Sequence, residues 1–165
     1  MAPDRRVAIC PGSYDPVTFG HLDVITRAAA IFEHVIVAVV NLPIRKGKTL
    51  FDASERVRFV ENATRDLGNV TVETFSTLVV EFAHERGAMA IVKGLRAISD
   101  FEYELEMNQL NRQQAPEIES VYLMASAKYS FLRSSSVKEL ATFGGDIDHL
   151  VPAEVAARLR EEVAR

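Results

Sequence analysis

The sequence predicts an α/β fold, a doubly wound sheet of five parallel strands with helices on both faces. Short apolar, β-branched runs recur along the chain, and segments with apolar residues at helical spacing separate them. Helices of about 10 to 15 residues between successive strands call for right-handed crossovers, and hence for parallel pairing. The strand runs are continuously apolar, not alternating, as in a sheet covered on both sides.

The elements follow in order. Val7–Cys10 is the first strand, cut off by Pro11-Gly12. His21–Phe32 sets Leu22, Ile25, Ala28, Ala29 and Phe32 at helical spacing, and Val35–Val40 is a fully apolar second strand. Asp52-Ala53-Ser54-Glu55 reads as a capping box opening a helix to about Leu67, which Gly68-Asn69 stops. Val70–Phe75 is the third strand, Leu78–Arg86 a helix ended by Gly87, and Met89–Val92 the fourth strand. A helix over about Asp100–Arg112, a strand at Val121–Met124 and a helix over Ser134–Thr142 follow. Pro152, near the first helical position where proline is best tolerated, opens a last helix over about 152–164. With no repeat or linker, residues 1–165 read as a single domain.

Composition narrows the function. The 165 residues carry a net charge of −4, which argues against a nucleic-acid partner, since such proteins present a basic face to many phosphates. No run approaches the roughly 20 apolar residues of a membrane helix, and the polar N-terminus does not read as a signal peptide, so no membrane partner and a cytoplasmic location are expected. The single cysteine, Cys10, cannot close an internal disulfide, and His34, His84 and His149 lack metal-ligand spacing. His21, Arg45, Lys46, Lys48, Lys93, Arg96, Arg133 and Lys138 fall at loops or helix starts, the pattern of an acidic protein that binds a small polyanion.

Four segments carry chemistry, each placed after a strand, where parallel sheets bind ligands. Cys10-Pro11-Gly12-Ser13-Tyr14-Asp15-Pro16, with Thr18-Phe19-Gly20-His21, offers a glycine for close approach, a hydroxyl, and a helix N-terminus for an anion. Its glycine spacing matches neither the dinucleotide fingerprint nor the P-loop. Ser13, Asp15 and His21 lack the G-x-S-x-G elbow of a hydrolase triad. Asn41–Lys48 is a basic loop, Lys93-Gly94-Leu95-Arg96 sets two cations around a glycine, and Arg133 precedes Ser134-Ser135-Ser136 at a helix start, where serines cap the helix or donate to phosphate.

The P-G-S-Y-D-P…T-x-G-H string resembles the phosphate-binding signature of the T/H-x-G-H nucleotidyltransferases, and within them the bacterial phosphopantetheine adenylyltransferase family most closely. Lys93-Gly94-Leu95-Arg96 with Asp100-Phe101-Glu102-Tyr103-Glu104, and Tyr129-Ser130-Phe131-Leu132-Arg133-Ser134-Ser135, resemble later blocks of that family in the same order. Arg133 stands where the family has a serine, and Ser136 where it has an apolar residue.

The resemblance implies a Rossmann-like nucleotidyltransferase fold and a reaction. The phosphate of 4′-phosphopantetheine attacks the α-phosphorus of ATP, giving dephospho-CoA and pyrophosphate, in the penultimate step of coenzyme A synthesis. His21 is expected to stabilise the transition state on the α-phosphate. Ser13, Tyr14, Gly94, Leu95, Arg96, Glu104 and the 129–135 block are implied for ATP. Lys93, Val79, Ser13 and a loop cation are implied for the acceptor; that cation is Lys46 or Arg45, because the loop is longer than the family's usual form. Mg²⁺ is expected on the phosphates, held by substrate oxygens and water. The resemblance also implies a homohexamer and feedback inhibition by CoA. Two alternatives stay open: transfer to another acceptor within the superfamily, and a non-catalytic nucleotide-binding module.

Overall fold

In the computed structural model, which describes residues 6–41 and 49–164, five strands form one sheet. They are β1 (Val7–Gly12), β2 (His34–Val40), β3 (Val70–Phe75), β4 (Ala90–Leu95) and β5 (Glu119–Met124). Every pair is parallel, in the order β3-β2-β1-β4-β5. Among the described residues six α-helices accompany them: α1 (Phe19–Ile31), α2 (Ala53–Thr64), α3 (Val79–Glu85), α4 (Ile98–Gln114), α5 (Ser134–Thr142) and α6 (Ala153–Val163). The fold class expected from the sequence is the one observed.

Side chains alternate across the sheet and so build two cores. Ala8, Cys10, Val35, Val37, Val39, Ala90 and Val92 face the larger one, with Ile25 of α1, Phe59 and Val60 of α2, Val137 of α5 and Leu159 of α6. Ile9, Ile36, Ala38 and Ile91 face the other, which Val80, Phe82 and Ala83 of α3 close. Each fully buried aliphatic side chain is worth about 1.5–3 kcal/mol, so these central strands hold the sheet together.

Some boundaries move, each for a local reason. β1 does not stop at Pro11-Gly12 but pairs with β2 as far as Gly12↔Val39. Met89 donates to Val7 O on the β4 side, and alternate residues face the same neighbour, so the nitrogen of Pro11 also turns toward β4. Pairing with β4 has already ended at Ile9, and the missing N–H of Pro11 removes no ladder bond. β4 runs past Val92, so Lys93, Gly94 and Leu95 belong to the strand and pair with Tyr122, Leu123 and Met124. The glycine and two cationic ends had made this stretch read as loop. α1 begins two residues before His21. α2 ends at Thr64, not Leu67; Asp52 accepts from Glu55 N at 2.8 Å, while the Glu55 carboxylate pairs with Arg158 at 2.8 Å and leaves the box half made. Pro152 is the residue before α6, one position earlier than expected.

Candidate active site

The strand order reverses direction between β1 and β4, and there the two strands separate beyond Ile9. A cleft of about 750 Å³ opens at this point, at the carboxyl ends of the strands. Its walls bring together the first, third and fourth sequence segments. Ser13, Tyr14 and His21 line one side, Lys93, Gly94, Arg96 and Glu104 another, and Tyr129, Leu132, Arg133, Ser134 and Ser135 a third. Leu95 is buried beside the cleft, while Ser130 and Phe131 do not line it. Val79, the first residue of α3, packs against the second core and does not line the cleft. Arg45 and Lys46 lie outside the described residues.

The phosphate-type loop after β1 is strained and firmly held. Tyr14 sits at φ 50, a left-handed conformation unfavourable for a bulky residue. Its ring is buried and its hydroxyl donates to Cys10 O at 2.9 Å. Burial pushes the Cys10 thiol up to about 12, so it acts as a small apolar core residue.

Thr18, Gly20 and His21 form the start of α1 in an unusual way. Thr18 is the N-cap, and its Oγ1 accepts from His21 N at 3.3 Å. In return His21 Nδ1 accepts from Thr18 N at 3.0 Å. The pair is a capping box with histidine in the place of the usual Glu or Gln. Because Nδ1 is the acceptor, the neutral ring must carry its proton on Nε2. Burial, and then the positive charge of Arg96, lower the His21 pKa from 6.5 to about 4. At neutral pH His21 is therefore an uncharged Nε2–H donor, with its ring edge-on to Tyr14 at 5.0 Å.

Three cations of the cleft are oriented by acids. Lys93 Nζ lies 3.0 Å from Glu104, Arg96 Nε 3.2 Å from Asp100, and Lys138 Nζ 3.0 Å from Asp15. Arg96 also donates to Leu132 O at 2.9 Å, tying β4 to the start of α5. Ser134 Oγ donates to Pro16 O at 2.8 Å, tying α5 to the loop after β1. No serine caps α5: the N-cap is Arg133 and gives no side-chain bond, so the serines occupy the first helical positions instead.

Sequence reasoning missed two builders of this site. Asp15, read in the sequence as part of the P-G-S-Y-D-P string and set aside as a triad member but given no role of its own, is buried and accepts from Leu50 N at 2.8 Å, Phe51 N at 2.9 Å and Lys138. Arg56 is 3% exposed and donates to Phe51 O, Ser13 O and Val40 O at 3.1, 2.7 and 2.9 Å. A signal for Arg56 existed: it shares a helical stripe with Phe59 and Val60, where a core residue was due.

The comparisons with known proteins bear on this geometry. A profile of the cytidylyltransferase-like family matches residues 9–140. The phosphopantetheine adenylyltransferase of Rubrobacter xylanophilus is 51% identical over 160 residues, 97% of this chain and 96% of its own. This chain belongs to the phosphopantetheine adenylyltransferase family. The Clostridium novyi member is 47% identical across 97% of this chain and 98% of its own, and the Clostridium kluyveri member 52% identical across 90% and 89%. The solved structure of a candidate nicotinate-nucleotide adenylyltransferase from Vibrio parahaemolyticus superposes with a TM-score of 0.70 over 98% of this chain and 96% of that one. At 16% identity it shares the fold. Membership in the adenylyltransferase family makes the chain a nucleotidyltransferase.

Proposed function

We propose that the chain transfers the adenylyl group of ATP to 4′-phosphopantetheine, releasing pyrophosphate and forming dephospho-CoA. The observation that carries this reading is the neutral Nε2–H of His21, fixed by the capping box at the cleft between β1 and β4. The family name shared by relatives at about half identity supports the substrate pair.

The chemistry follows from the charges. A phosphate monoester has a second pKa of about 6, so the acceptor arrives ionised and no general base is needed. One of its oxygens bonds to the α-phosphorus while the bond to the bridging oxygen breaks, and pyrophosphate leaves with that electron pair. His21 Nε2–H donates to an α-phosphoryl oxygen, where charge develops, and an uncharged donor does this without over-stabilising the ground state. Ser13 and the backbone beside it hold the phosphates against β1. Lys93 gathers the acceptor, with Lys46 or Arg45 from the basic loop. Arg96, Glu104 and the 129–135 block hold the nucleotide, and Val79 belongs to the pantetheine side.

The described residues offer no cluster of three metal-binding side chains, and the cleft carboxylates Asp15 and Glu104 are each engaged by a lysine. This reading therefore assigns Mg²⁺ no protein ligand. Mg²⁺ enters this reading with the triphosphate, and no step above passes through it.

The assembly is a homo-oligomer, the hexamer that the family resemblance implies, and the chain works in the cytoplasm with neither nucleic acid nor membrane as partner. None of the described helices is long and apolar enough to cross a membrane, which is compatible with that location.

Pyrophosphate release from Mg-ATP by the purified protein, with 4′-phosphopantetheine and with nicotinate mononucleotide as control acceptor, tests the reading. Release is expected only with phosphopantetheine. Turnover with the control instead would keep the adenylyl transfer and overturn the acceptor.

A further inference from the structure

Arg56 is a buried cation that the chemistry above does not use. It lies on α2 beside Phe59 and Val60 and is 3% exposed. The two acids whose charge reaches it are engaged by other donors: Asp15 by Leu50 N, Phe51 N and Lys138, and Asp52 by Ser54 Oγ and Glu55 N. Its own donors go to carbonyls instead. Nε donates to Phe51 O at 3.1 Å, and Nη1 to Ser13 O at 2.7 Å and Val40 O at 2.9 Å. Taking a guanidinium out of water is expensive, and an apolar side chain in such a place is often as stable or more so. Packing alone gives no reason for the charge.

The three carbonyls show what the charge holds. Ser13 belongs to the loop after β1, Val40 ends β2, and Phe51 immediately precedes Asp52, the N-cap of α2. Val40 and Phe51 stand on either side of the basic segment Asn41–Lys48 in the sequence, so one side chain ties both flanks of that segment to Ser13. The bond to Ser13 O also fixes the plane of the Ser13–Tyr14 peptide. Both of those residues line the cleft, whereas Arg56 does not. Tyr14 follows at φ 50, a strained conformation that persists only where its surroundings hold it. Asp15 completes the clamp from the same loop, because its carboxylate takes Leu50 N and Phe51 N.

We propose that Arg56 is a positioning residue for adenylyl transfer: from behind the cleft it fixes Ser13 against Val40 and Phe51, and so sets the nucleotide and the acceptor phosphate at reacting distance. The proposal rests on the function given above, in which Ser13 holds phosphates and a cation of the basic segment gathers the acceptor. Such a clamp acts on alignment more than on affinity, because each substrate keeps its own contacts when the two shift relative to one another. A displacement of about 1 Å is enough to cost about 10²-fold in rate. Lysine is no substitute, since one ammonium does not reproduce a planar fork that serves three carbonyls from two nitrogens.

Steady-state pyrophosphate release and calorimetric titration with Mg-ATP test it on the wild type, Arg56→Lys and Arg56→Ala. The rate is expressed per ATP-binding site counted in the titration, so that a loss of folded protein does not register as a loss of kcat. Arg56→Ala is expected to lose about 10²-fold in kcat and Arg56→Lys about tenfold, with ATP affinity within about threefold of wild type in both. Methylguanidinium should restore part of the kcat of Arg56→Ala and none of that of Arg56→Lys, whose ammonium occupies the space. If Arg56→Ala fails to fold, Arg56→Lys decides; if neither folds, Arg56 is structural and the proposal fails. Unchanged kcat per site overturns it, as does a fall in ATP affinity that matches the fall in kcat. Should the wild type turn over nicotinate mononucleotide and not phosphopantetheine, the acceptor reading fails, and the same comparison run with that acceptor judges Arg56. A wild type that turns over neither overturns both.

Discussion

At the scale of single residues, His21 is defined by what its other nitrogen does. The Thr18 N–H reserves Nδ1, so the Nε2 edge of the ring is a donor in the neutral state and has no need of a proton from solvent. With its pKa lowered to about 4, His21 should not titrate between pH 5 and 8, and its ¹⁵N shifts should report the Nε2–H tautomer throughout that range. A titration near 6.5 would refute the assignment. The sign for stability follows. The unfolded chain takes up this proton below about 6.5 and the folded one only near 4, so the contribution is full above 6.5 and declines as pH falls between the two. His21→Ala should cost about 10²- to 10³-fold in kcat with ATP affinity little changed, as for the loss of one oxyanion donor. Matched losses in kcat and ATP binding would make the histidine a ground-state ligand.

At the scale of elements, the site depends on how closely α1 approaches β4. A Cβ on Gly94 would lie 2.8 Å from Val24 Cγ2, and Val24 is β-branched with little rotamer freedom in a helix. Gly94→Ala should therefore push α1, and His21 with it, away from the sheet, costing about 1–3 kcal/mol in denaturant unfolding and lowering kcat/KM at least tenfold. An alanine variant of unchanged stability and rate would show that α1 has room. This contact illustrates what the sequence hides. Strand and helix existence were legible because Val35–Val40 is wholly apolar and because Thr18-Phe19-Gly20-His21 is a recognisable string. That Lys93-Gly94-Leu95 continues β4 was not legible, since a glycine between the cations Lys93 and Arg96 reads as a turn until its partner β5 and its neighbour Val24 are known. The stripe with Phe59 and Val60 could place Arg56 in the core, but its partners were hidden for the same reason: its three acceptors are backbone carbonyls from Ser13, Val40 and Phe51, and carbonyls leave no mark in a sequence.

At the scale of the whole molecule, α4 leaves most of its apolar residues exposed. Its half-buried residues, Asp100, Glu104, Met107, Asn108 and Asn111, fall on one stripe and are mostly polar, and Asn108 Oδ1 is buried without a hydrogen-bond partner. Its shoulders are apolar on both sides of a solvated ridge at Glu102, Glu106 and Gln109: Ile98, Phe101 and Leu105 on one, Tyr103 and Leu110 on the other. None of the seventeen residues of α4 is fully buried. Exposed apolar area of this kind is uncommon on monomers, and two opposed shoulders suit a helix wedged between neighbours. The proposed homo-oligomer supplies those neighbours, and it would place α4, which carries Glu104 and begins just beyond Arg96, under the control of assembly. Light scattering should give the wild type a mass several times that of one chain, and Leu105→Lys with Leu110→Lys should reduce it to the single chain. If the wild type is a single chain at micromolar concentration, the shoulders of α4 have another purpose and the oligomer proposal fails. If the double variant stays assembled, the interface lies elsewhere on the surface.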